Sequence, residues 1–185
     1  MKTLLVCAAV LASGSAVRAD LIGFETLSVG QNVSTQFPGV TFSSSPGLFV
    51  RVDHSYDFGT GLYVCSANAT AITCVDPIYL DFASPVTNVH FVTMGDNSVG
   101  TQAVATAFNG ATLLGSVNVV VDGVFLTPNA VDLSSLGPMT RLAITNITDG
   151  GGLAFDEFQF TVPAPSITML SLGLVPHLSR RPRRS

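Results

Sequence analysis

The chain has 185 residues, of which 47% are hydrophobic and only 11% charged, and it contains no tryptophan. Its formal charge of −4 hides a division: the stretch from Asp20 to Thr161 carries all 12 acidic residues and two cations, Arg51 and Arg141, a balance of −10. That stretch is long enough to bury one core, and its charge excludes nucleic acid as a partner, which is held by clustered Lys and Arg.

The first 19 residues have the three parts of a secretory signal peptide. Lys2 supplies the positive start, Leu4 to Ala12 is apolar and uncharged, and Val17-Arg18-Ala19 places small residues before a cut. The reading is a signal helix over 1–19, cleaved after Ala19, with the secretion machinery and signal peptidase as first partners. Cys7 follows Val6 with little apolar sequence before it, and is not read as a lipid-bearing cysteine.

From residue 20 to 161 no long segment shows helical periodicity; short β-rich runs alternate with turn residues. Ile22–Ser28, Gly39–Ser43 and Leu48–Val52 are the first expected strands. Leu62–Cys65 and Ala71–Val75 flank a polar turn in LYVCSANATAITC. In an oxidising compartment Cys65 and Cys74 are expected to form a disulfide across this hairpin. The alternative, a thiolate pair on a metal, has no histidine nearby and a spacing unlike zinc sites. Ile78, Leu80 and Phe82 alternate with Tyr79 and Asp81 as a half-buried strand, and Val86–Thr93 follows. Thr101–Phe108 and Thr112–Val121 are joined at Asn109-Gly110, a strong hairpin signal. Arg141–Ile147 and Leu153–Thr161 close the series. About eleven strands at this spacing predict an all-β, two-sheet antiparallel β-sandwich, jelly-roll-like.

The last expected strand contains a phase change. Leu153 and Phe155 share one alternation, Phe158 and Phe160 the other, and the switch falls at Asp156-Glu157. Strand side chains alternate strictly, so a bulge is expected there.

Residues 162–185 read as a separate C-terminal segment. Val162-Pro163-Ala164-Pro165 is a stiff spacer. Ile167–Leu178 is an apolar run expected to form a hydrophobic helix, short against the roughly 20 residues of a full span. Arg180, Arg181, Arg183 and Arg184 close the chain, and positive charge beside an apolar run stays cytoplasmic. This tail resembles the sorting signal of the PEP-CTERM family of exported bacterial proteins: a Pro-Glu-Pro motif, an apolar helix and a terminal arginine cluster. Here Pro163, Ala164 and Pro165 stand at the motif, with Ala164 where the family has Glu, and Pro176 interrupts the helix. The resemblance implies recognition by an exosortase-type membrane protease in a Gram-negative bacterium. It also implies anchoring in the inner membrane with the body facing the periplasm, then release to the cell surface or extracellular matrix beside exopolysaccharide. It covers some 24 residues and carries no information about the body.

The body has a likeness of its own. Phe24-Glu25, Gly39-Val40-Thr41-Phe42 and Asp156-Glu157-Phe158 resemble the edges of bacterial surface jelly-roll domains similar to carbohydrate-binding modules. That likeness implies a structural calcium between first and last strands, with Glu25, Asp156 and Glu157 as its carboxylates; calcium takes several hard oxygen ligands. Read without the likeness, the same residues are a solvated acidic edge.

No catalytic residues are assigned. The body has two histidines, His54 and His90, and no nucleophile-elbow, zinc-protease or phosphate-loop motif. Tyr56, Phe58 and Tyr63 are aromatic candidates for contact with a sugar, although core packing also accounts for them. The expected function is an exported, surface- or matrix-associated non-enzymatic protein. The alternative is a cell-surface carbohydrate-binding module, with a secreted hydrolase behind it.

Overall fold

The computed structural model describes residues 18–54, 61–95, 98–124 and 127–164. The first 17 residues of the expected signal peptide, Tyr56, Phe58, Pro165 and the arginines Arg180, Arg181, Arg183 and Arg184 lie outside them, as do both expected terminal helices. Among the described residues no helix is long and apolar enough to cross a membrane.

Among the described residues ten strands form: β1 Arg18–Ile22, β2 Val40–Ser44, β3 Phe49–Asp53, β4 Tyr63–Ala67, β5 Ile78–Met94, β6 Gly100–Asn109, β7 Thr112–Val121, β8 Asn129–Asp132, β9 Met139–Thr145 and β10 Ala154–Val162. The one helical element among the described residues is a 3-10 turn at Ser134–Leu136. Every strand pairing is antiparallel.

The 17-residue β5 joins the two layers of the sandwich. Its first part, Ile78–Phe82, pairs with β2 on one side and β9 on the other. After the exposed link Ala83-Ser84-Pro85, its second part pairs with β10 and β8. Pro85 has no N–H to give a ladder, so the link is a natural place to change partners. One layer is therefore β2-β5-β9-β6-β7 and the other β3-β4-β10-β5-β8. β1 lies beside β10 on the same side as β4: Phe155 pairs with Val64, and Phe158 to Val162 pair with Ile22 to Arg18.

Aromatic rings close the space between the layers. Phe42 of β2 meets Phe158 of β10 edge-on at 5.7 Å between centroids, and Phe91 of β5 stacks on Phe158 at 5.3 Å. Phe24 packs edge-on against both Phe42 and Phe158. All four are fully buried, and pairs of this geometry add to plain area burial.

Several expectations change. The stretch Ile22–Ser28 is not one strand: β1 ends at Ile22, and Leu27 N–H donates to Phe24 O in a turn that sends the Phe24 ring into the core. Ala71–Val75 is not a strand either; it meets β4 through an isolated bridge between Ala67 and Ile72, the N–H groups of Thr73 and Cys74 donating to Ser66 O, and the Cys65–Cys74 disulfide. The two runs expected on either side of Pro85 are one strand. At the β6–β7 turn Asn109 pairs with Thr112, so the loop is Gly110-Ala111, with Gly110 at φ +56, rather than Asn109-Gly110. The short β8 has no counterpart in the sequence reading.

Candidate functional site

The candidate site is built by alternation in the second layer. Val52, Val64, Phe155, Phe91 and Val131 face the core. Their strand neighbours face outward, and the registers align them into a row: Asp53 opposite Tyr63, Val92 opposite Asp156, Ala130 opposite Val92. The pairing of Phe155 with Val64 sets Tyr63 beside Asp156.

On this outer face a second, small apolar cluster forms from Tyr63, Cys65 and Ala154, with Ile72, Cys74 and Met94 against it. It is covered by the loop after β4. The Cys65–Cys74 disulfide, with 4.7 Å between Cα atoms, ties that loop down. The Asn68 side chain turns the loop by accepting the N–H groups of Thr70 and Ala71. Leu153 N–H donates to Cys74 O at 2.9 Å, docking the loop onto the entry to β10. The sequence placed the disulfide across a hairpin; its pairing stands, but it staples a loop to a sheet face.

Beside this cluster lies a cavity of about 360 Å³, at the small end of the range for small-molecule sites, about 300–1,000 Å³. Leu62 and Pro128 are at its walls and Tyr63, Val92 and Met94 line it with apolar surface. Asp156 and Glu157 supply its charge.

The bulge makes this possible. The register of β10 on β5 shifts between Asp156 and Gln159, and Glu157 takes φ +50. Phe155 and Phe158 thus both point into the core while Asp156 stays on the outer face and Glu157 is exposed. Asp156 is only 9% exposed. Its Oδ1 accepts the Glu157 N–H at 2.7 Å. Burial pushes its carboxyl up from 3.8 to about 6; the Glu157 N–H opposes this, and the negative charges of Glu25 and Glu157 add to it. The Tyr63 hydroxyl is pushed up to about 12, first by burial and then by the Asp53 carboxylate.

The structure brings Glu25 and Glu157, two of the three expected calcium carboxylates, within electrostatic reach of the third, Asp156. It does not form a cage: among the described residues no three His, Cys, Asp or Glu side chains converge on a point where an ion would be held. The donors are of the right hardness but not the right arrangement, and no role is derived for calcium. His90 Nδ1 stands 3.2 Å from Asp132 Oδ1 on the open surface, and the same carboxylate oxygen accepts the Ser134 N–H at 2.7 Å. Pro163 is exposed and Ala164 half-buried at the end of the described chain.

Tyr63 was a sequence candidate as an aromatic. Val92, Met94, Leu62 and Pro128 were not, because their meeting depends on pairings among β4, β5 and β10. The one local signal was the shared phase of Tyr63 and Cys65 on one face of β4.

No protein-family model matches the chain, and no curated protein matches it. Among solved structures it is similar to the K2 cleaved adhesin domain of Lys-gingipain, at 14% identity and a TM-score of 0.47 over 78% of this chain and 100% of that one. It is also similar to a family 29 carbohydrate-binding module, at 11% identity and a TM-score of 0.41 over 80% of this chain and 100% of that one. A third similarity is to a carbohydrate-binding module of Cellvibrio mixtus lichenase 5A in complex with cellotriose, at 14% identity and a TM-score of 0.35 over 78% of this chain and 97% of that one.

Proposed function

We propose that the chain is an exported, non-enzymatic surface module that binds a carbohydrate in the outer-face cavity of the second layer. The observation that carries this reading is the lining itself: aliphatic and tyrosine surface beside two carboxylates, on a sheet face rather than in the core. A sugar ring offers C–H faces to such a floor and hydroxyl donors to such acceptors, and a few convergent polar groups in an apolar pocket are what orient a small ligand.

Export rests on the signal peptide and is supported by the Cys65–Cys74 pairing, which persists in an oxidising compartment. The tail from Pro163 then holds the body at the inner membrane facing the periplasm until a sorting protease passes it to the surface.

Two experiments test this. Affinity electrophoresis in gels carrying soluble polysaccharides should retard the wild-type protein, and Val92→Trp, which fills the cavity from a half-buried position, should migrate freely. Retardation that survives Val92→Trp in a folded protein places binding elsewhere. Deleting residues 163–185 should move the protein from the membrane fraction to the soluble one; unchanged fractionation removes the sorting part of the proposal.

A further inference from the structure

We infer that the cavity selects sugars bearing a free primary amine, such as the de-N-acetylated hexosamine units of a polysaccharide, over neutral and acidic ones. The inference rests on the carbohydrate reading above and adds the ligand's charge to it.

Among the described residues the lining contains Asp156 and Glu157 and no Lys, Arg or His. Asp53 continues the same outward row beside Tyr63, and Glu25 is near enough for its charge to act on Asp156. Neither of the body's two arginines is among the lining residues. Arg141 is in the other layer, 3.6 Å from Asp81 Oδ1 and 4.7 Å above the Tyr79 ring. Arg51 is on the outward face of β3 across from Cys65, two residues along the strand from Asp53, and stands outside the lining. A uronate or a sulfated sugar entering the cavity would meet its own sign of charge on the charged residues that line it.

Asp156 is the second observation, independent of the crowding of acids. Its side chain is nine-tenths buried, it lines the cavity, and the one donor it has among the described residues is the Glu157 N–H on Oδ1. A buried carboxylate is costly until it is paired and fully hydrogen-bonded. A neutral hydroxyl supplies a hydrogen bond and no charge. An ammonium supplies both, and charge-assisted hydrogen bonds are roughly twice as strong as neutral ones. The protein meets the ligand already preorganised, because the bulge has fixed Asp156 on the outer face before anything binds.

The test is calorimetric titration of the mature, disulfide-bonded protein with four β-linked hexasaccharides: glucosamine, N-acetylglucosamine, glucose and a uronic acid. A lysine hexapeptide serves as control for the acidic body's general field. The glucosamine hexamer should bind at least about tenfold more tightly than the others, a difference one charge-assisted bond supplies. Asp156→Asn, isosteric and confirmed folded by its melting curve, should abolish that preference, and Asp132→Asn on the open surface should keep it. Equal affinity for neutral hexamers overturns the inference and leaves the carbohydrate reading standing. Lysine hexapeptide binding as well, with no effect of Asp156→Asn, assigns the attraction to bulk charge and also overturns it. If no hexamer binds at all, the carbohydrate reading itself fails.

Discussion

Gly152 lies against Cys74 so closely that a Cβ placed on it, at its φ of +86, would stand 2.5 Å from the Cys74 Cβ and 2.5 Å from the Cys74 carbonyl oxygen. The same carbonyl accepts the N–H of the next residue, Leu153. The loop that shelters the outer face is therefore docked through backbone, with a glycine at the contact because nothing larger fits. Gly152→Ala faces both an unfavourable left-handed φ and a clash with main-chain atoms. It should lower stability by roughly 2–4 kcal/mol, read from the urea midpoint at an unchanged slope; a loss under about 0.5 kcal/mol would mean the loop moves aside freely.

The disulfide closes a loop of sequence separation 9. Constraint of so short a loop in the unfolded chain contributes about 2–3 kcal/mol. Cys65→Ala with Cys74→Ala should cost about that much. Because Cys65 is also buried in the outer cluster, the double variant should in addition weaken ligand binding, whereas a disulfide that acted on the unfolded chain alone would leave affinity as it was.

Phe158 touches Phe24, Phe42 and Phe91, which come from three separate segments of the chain. Its removal leaves a cavity at the point where the layers meet. Phe158→Ala should cost about 3–5 kcal/mol, and Phe158→Leu, which keeps much of the volume, clearly less. A similar cost for both would assign the effect to ring geometry rather than to the void.

The Asp156 carboxyl is raised in the folded protein from 3.8 to about 6. The folded state then binds this proton more tightly than the unfolded state. The group contributes stability at pH below about 4, and that contribution is lost as the pH rises through about 6. Asp156→Asn, which keeps the acceptor for Glu157 N–H, should flatten the stability curve over this window and stabilise the protein at pH 7 by about 1–3 kcal/mol. A variant less stable than wild type at pH 7 sinks the idea that burial dominates this site. The gain in stability would accompany the loss of amine selectivity proposed above, as expected where a strained group serves binding.

Since Glu25, Asp156 and Glu157 do not converge on an ion position, chelation with EDTA should leave the melting temperature within about 1 °C of its starting value. A fall of several degrees, reversed by adding calcium, would show that the three carboxylates close around the ion in solution.

Much of this molecule was legible locally. The all-β class follows from period-2 alternation that each run carries within itself, as in Ile78, Leu80 and Phe82. The bulge follows from the phase change between Phe155 and Phe158, for no regular strand can bury both. The disulfide follows from two cysteines in a body read as exported. Alternation does not name a partner strand, however. That Ile78–Phe82 and Val86–Met94 are one strand serving two layers depends on β2 and β9 being available to one half and β10 and β8 to the other. The failure of Ala71–Val75 as a strand has the same origin: the segment is β-prone, but the staple at Cys74 and the contact with Gly152 hold it across the sheet face. The candidate cavity lay further still from view. Tyr63, Val92 and Asp156 are separated by dozens of residues and meet only through registers chosen by long-range packing, so the chemistry of each was readable in the chain while their juxtaposition was a property of the folded sheet.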